Sequence, residues 1–118
     1  MSAYRDLMDH MVSLARGCVL ANRIRAHGHA ERSNEAALPL SAEEAERKRV
    51  LQGMTAEQRT IVADLLAEER AGAIHDVLAN LPAHDVRLEG VPLAELADEV
   101  PHWDFMARLE ERPWRKDD

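Results

Sequence analysis

Cys18 is the only cysteine in 118 residues, so neither an intramolecular disulfide nor a cysteine-based zinc site can form. A reducing cytosol is the expected compartment. Aromatic residues make up only 3% of the chain, namely Tyr4, Trp103, Phe105 and Trp114. The core must therefore be built from Leu, Val, Ala, Ile and Met. Lysine is scarce as well: Lys48 and Lys116 are the only lysines among 15 basic residues, and the rest are arginine. Arginine favours planar, bidentate pairing with carboxylates. No apolar run approaches the roughly 18 residues of a membrane span. The first turns carry Arg5, Asp6, Asp9 and His10, which is no signal peptide. There is no glycine-rich phosphate loop, no Gly-x-Ser-x-Gly elbow and no dinucleotide fingerprint.

What is present points to one helical domain spanning residues 1–118. Apolar residues make up 46% and charged residues 31%, an ordinary globular balance. Ala, Leu, Glu and Arg dominate, and all four are good helix formers. The net charge of −7 argues against nucleic acid, whose phosphates need a basic face. It suits docking on a basic protein partner. No membrane role is expected.

The expected fold is mainly α. A three-helix core covers about 2–27, 41–53 and 55–81, and a C-terminal cap of short strand and short helices follows. In the first helix, Leu7, Met8, Met11, Leu14, Ala15, Cys18, Val19 and Ala21 share one broad face. His27-Gly28-His29 breaks it, and a polar loop with a Ser33-Asn34 turn follows. Ser41-x-x-Glu44 and Thr55-x-x-Gln58 are capping boxes, in which each N-cap side chain and the residue three positions on satisfy each other's backbone N–H. Gly53 and Pro82 close the helices that these boxes open.

The central helix carries two apolar stripes. Ile61, Val62, Leu65 and Leu66 form the first. After Gly72 the stripe moves around the helix to Ala73, Ile74, Val77, Leu78 and Leu81, so the two halves should pack against different neighbours. With few aromatics to cover both faces, a second copy of the chain is an expected neighbour, hence a homodimer. Val86 and Leu88 alternate with charged residues and permit a short strand before Gly90. Pro92 and Pro101 suit first helical positions. A helix over His102–Glu111 should bury Trp103, Met106 and Leu109, and residues 112–118 should fray.

Several constellations could carry chemistry. Glu69 falls between Leu65 and Leu66 on the first stripe, and Asp76 lies seven residues on at nearly the same azimuth. Asn22 and Arg25 project from the inward face of the first helix. These four are expected to form an inward polar cluster, read first as a structural ion-pair network and second as a ligand pocket. Glu68, Glu69, His75 and Asp76, with His27 or His29, form a candidate site for a divalent metal, since bundle metal sites are built from inward Glu and His. His10 and His102 are further possible ligands. The seven-residue spacing of Glu68 and His75 departs from the i, i+3 and i, i+4 spacings of helical metal sites. The competing reading is a solvated charged edge. No cofactor is otherwise predicted and no catalytic residue is assigned. Cys18 reads as a small core residue. Trp114 is a candidate anchor for a partner chain, or for its own domain.

Three stretches, LARGCVLANRI, LLAEERAGAIHDVLA and HWDFMARLEE, resemble a family of small bacterial proteins of unknown function. The resemblance covers roughly the whole chain. It implies a bacterial, cytosolic, single-domain protein and transfers no functional residues. The function expected from the residues is a non-enzymatic protein-interaction or inhibitor-type module. The alternative is a metal-dependent enzyme or metal-binding protein using the Glu/His/Asp cluster.

Overall fold

A computed structural model describes residues 2–30 and 39–115. The fold is mainly α. Helix α1 spans Ala3–Arg16, α2 Val19–His27, α3 Ala42–Gln52 and α4 Ala56–Asn80. A short 3-10 helix follows at Leu81–Ala83. Strands β1 (Arg87–Leu88) and β2 (Val91–Pro92) form an antiparallel hairpin in which Arg87 faces Pro92 and Leu88 faces Val91. Helices α5 (Leu93–Leu96) and α6 (Pro101–Leu109) complete the chain.

Both capping boxes form. Ser41 Oγ accepts from Glu44 N–H at 3.1 Å, and Glu44 reaches back to Ser41 N–H. Thr55 and Gln58 make the same reciprocal pair. Pro101 stands in the first turn of α6, where its missing N–H costs nothing. The hairpin turns on Glu89 and Gly90, with φ of 53° and 82°. Two successive positive φ values match the right-handed twist of the flanking strands.

The long helix expected over 2–27 is broken. It stops at Arg16, and Cys18 adopts an extended ψ of 104° before α2 begins. Gly17, the weakest helix former of this stretch, stands at the break. The polar loop and its Ser33-Asn34 turn lie outside the described residues for 31–38.

The chain forms two compact units. One comprises Met1–Arg16 and Glu69–Asp118, the other Gly17–Glu68. In the first, Tyr4, Met8, Val12 and Ala15 of α1 pack with Leu78, Leu93, Ala97 and Phe105. In the second, Cys18, Ala21 and Ile24 pack with Ala63, and Leu51, Val62, Leu66 and Ala67 flank them. The two halves of α4 thus serve different cores, as the shifting stripe predicts. In α6, Pro101, Asp104 and Phe105 are buried, whereas Trp103 stays 58% exposed. The expectation that Trp103 is buried is corrected because the buried register of α6 is 101–104–105, and Trp103 falls on the other side.

Among the described residues no helix is long and apolar enough to cross a membrane.

Phe105 and Gly72 test this packing. Phe105→Ala should cost about 3–5 kcal/mol in denaturant unfolding. A methyl added at Gly72 would meet no atom within 4 Å. Gly72→Ala should therefore stabilise the protein by about 0.5–1 kcal/mol.

Candidate functional site

An open apolar groove of about 450 Å³ runs along the first unit. Leu7 and Met11 of α1 form one wall. Ala73, Ile74, Val77 and Leu78 of α4, continued by Leu81, form the other. Val86 and Leu88 at the hairpin and Leu93 at the start of α5 line the rest, and Arg87 is the one charged residue of the lining. The groove is therefore built from the second stripe of α4. Ile74 and Leu78 turn toward the core, while Val77, one position around, is left 61% exposed.

A buried acid holds the α1 wall in place. The Asp104 carboxylate, only 4% exposed, accepts from the Tyr4 hydroxyl at 2.5 Å and from Asp98 N–H at 2.8 Å on the same oxygen. Its other oxygen accepts from Glu99 N–H at 3.0 Å. A carboxylate can stay buried when it is supplied with donors in this way, and its place in the first turn of α6 adds the favourable end of the helix dipole. The Tyr4 phenol is pushed well above its ordinary pKa, first by burial, then by its hydrogen bond to Asp104, then by the charges of Asp104 and Asp98. The far end of α1 is tied as well. Arg70 Nε donates to the Leu14 carbonyl, one of the last four that α1 leaves unpaired, and Arg16 donates to the Leu109 carbonyl at 3.0 Å.

Trp114 completes the same corner. Its ring meets Tyr4 edge-on at 6.2 Å, and the Arg5 and Arg108 guanidinium groups lie 4.9 and 5.5 Å from its centre. Trp114 thus docks on its own unit. Of the tail expected to fray, residues 112–115 are held: Arg115 N–H donates to Asp98 at 2.6 Å, and the Arg115 side chain pairs with Glu99. Residues 116–118 lie outside the described residues.

The inward polar cluster is not formed. Asn22, Arg25, Glu69 and Asp76 are all exposed. Arg25 pairs with Asp64 at 2.8 Å and reaches Asn22 at 3.4 Å. The physical reason lies in α4: its first half packs through Val62, Ala63, Leu66 and Ala67, and that choice turns Ile61 and Leu65 outward, each 60% exposed. Glu69, one turn beyond Leu65, shares their outward sector.

The set proposed for a metal is likewise not gathered. Glu68 and Glu69 are exposed, His27 is exposed and His29 is buried, with the two imidazole rings 6.2 Å apart. Three members of the wider set do meet. His75 Nδ1 lies 3.2 Å from Asp76, and the His75 and His102 rings stand perpendicular with centres 5.1 Å apart. Among the described residues no group of three His, Cys, Asp or Glu side chains is placed to hold a metal ion. Cys18 is buried in the second core, as a small apolar residue would be.

The second unit has an apolar groove of its own, of about 510 Å³, lined by Leu20, Ile24, Val50, Leu51, Val62 and Leu66 with arginines and glutamates at its edge.

The profile of DUF6547, a family of unknown function, matches residues 1–116. The chain belongs to DUF6547. No curated protein and no solved structure matches it. The function of the family is unknown.

Asp104→Ala would strand one buried and two part-buried donors and should cost about 3–5 kcal/mol. Tyr4→Phe should cost about 1–2 kcal/mol at neutral pH. The raised Tyr4 pKa also makes a pH prediction. The folded state holds the phenol proton more tightly than the unfolded chain, so this contribution is complete below pH 10, the ordinary phenol value, and is lost as pH rises above it. Unfolding free energy of the wild type should fall by up to about 1.4 kcal/mol per pH unit more steeply there than that of Tyr4→Phe. Parallel pH profiles in chemical denaturation would contradict this.

Proposed function

We propose that this DUF6547 member is a non-enzymatic protein-interaction module, of inhibitor or adaptor type, that receives an apolar segment of a partner in the groove between α1 and the second half of α4. The observation that carries this reading is the groove itself: ten of its eleven lining residues are apolar, and Val77 stands in it largely open to solvent. An amphipathic helix laid in an apolar groove is a common mode of peptide recognition. A bacterial cytosol fits the lone buried cysteine and the acidic surface.

A homodimer is part of the proposal, and its support is a different surface. Ile61 and Leu65 stand one turn apart on α4, an apolar ridge that a second copy could cover. The rival reading, a metal-dependent enzyme, has less support: Glu68, Glu69 and Asp76 point to solvent and do not converge.

Val77→Glu is the direct test, because the residue is exposed and the substitution should leave the melting temperature within about 2 °C. A partner captured by wild-type protein and lost by Val77→Glu is the expected result. Identical capture by both would contradict the groove reading. For the dimer, sedimentation at micromolar concentration should give a dimer for the wild type and a monomer for Ile61→Glu/Leu65→Glu. A monomeric wild type would remove that part of the proposal.

A further inference from the structure

Charge on the elements that build the groove selects among possible occupants. Among the described residues, Asp6 of α1, Glu69 of α4, Glu89 of the hairpin turn and Glu95 of α5 are exposed acids with no basic partner. Asp76 of α4 is exposed and has only the His75 ring beside it. The arginines of the segments that build the groove are each held by a neighbour and keep their charge. Arg5 lies over the Trp114 ring. Arg16 meets Glu111 and the Leu109 carbonyl. Arg70 is spent on the Leu14 carbonyl, and Arg87 on Asp85 and the Gly90 carbonyl. Arg87 is the one charged residue of the groove lining, but carboxylates outnumber basic side chains in the unit that holds the groove, which carries most of the chain's negative charge.

We infer that the natural occupant is a basic amphipathic helix of a partner protein: apolar residues at i, i+3 or i+4 and i+7 fill the groove, and flanking Lys or Arg side chains meet the carboxylates of the acidic unit around it. The inference rests on the groove reading above and adds the chemical class of the partner. The apolar face drives burial, and the charges steer encounter and reject acidic competitors. A second copy seated in this groove would bring the acidic first unit against its own like charge, whereas the proposed dimer uses the separate Ile61–Leu65 ridge. An anionic membrane surface is opposed by the same repulsion.

The test uses the full chain and two labelled peptides of about 18 residues, five helical turns. They share one spacing of leucines and differ in carrying lysine or glutamate at every polar position. Fluorescence anisotropy should show the Leu–Lys peptide binding at least about tenfold more tightly than the Leu–Glu peptide. Val77→Glu should weaken the Leu–Lys peptide by at least about tenfold, even though it makes the protein more acidic. Glu69→Lys/Glu95→Lys should weaken it several-fold and flatten its salt dependence.

If Val77→Glu binds the Leu–Lys peptide as well as wild type does, attraction is only general acidity and the inference is overturned. If both peptides bind equally and both lose affinity in Val77→Glu, the groove reading stands and the basic class of partner falls. If neither peptide binds, both fall. If Val77→Glu instead converts a wild-type dimer to a monomer, the occupant is a second copy and the inference is overturned.

Discussion

The Asp104 carboxylate is the constraint on which the first unit depends. It is buried, and three donors converge on it from two parts of the chain: the Tyr4 hydroxyl near the start of α1, and the successive amides of Asp98 and Glu99. Removing any donor leaves the acid less well solvated by the protein, and removing the acid strands all of them. Because Tyr4 lies one turn from Leu7, the bond that holds the phenol also orients the α1 wall of the groove. Trp114 then closes over Tyr4, and Asp98 turns its own side chain to the Arg115 amide. The polar corner and the apolar groove are two consequences of where α1 is pinned.

Helix α4 supplies the second constraint, because one helix must satisfy two cores. Its first half turns Ala63 inward, and its second half turns Leu78 inward. A helix has a single set of azimuths, so neither half can bury all of its apolar residues. Ile61 and Leu65 are left over on one side and Val77 on another. The exposed apolar residues of α4 follow from that shared duty, and they are the surfaces on which partner binding is argued.

Much of this was legible in the sequence. Both capping boxes, the end of α4 at Asn80 just before Pro82, the change of stripe near Gly72 and the positions of Pro101 and Gly90 rest on local rules, and local rules survive into the fold. The inward placement of Glu69 was not legible, for a definite reason. From Ile61 to Ala67 the helix is apolar around roughly two-thirds of its circumference, so hydrophobic pattern alone cannot say which sector meets the core. The bulky residues suggested the Ile61–Leu65 sector, whereas close packing selected the side of the small residue Ala63. Asp104 was missed because an acid in the first turn of a helix ordinarily reads as a complement to the helix dipole. The one available signal was its neighbour Phe105, which shares its buried side. The groove could be anticipated only in part, since its α4 wall is the second stripe but its α1 wall comes from a distant segment.

An apolar groove on an acidic unit is the feature from which the proposed partner preference follows, and the place where a basic helix binds can be read directly. Methyl-resolved NMR of the full chain, titrated with a basic amphipathic peptide, places the occupant residue by residue. The account predicts intermolecular contacts at the methyls of Leu7, Met11, Val77 and Leu88, with those of Leu20, Val50 and Leu66 undisturbed. Contacts confined to the second set, or shifts at exposed acids with no methyl contact at all, would contradict it.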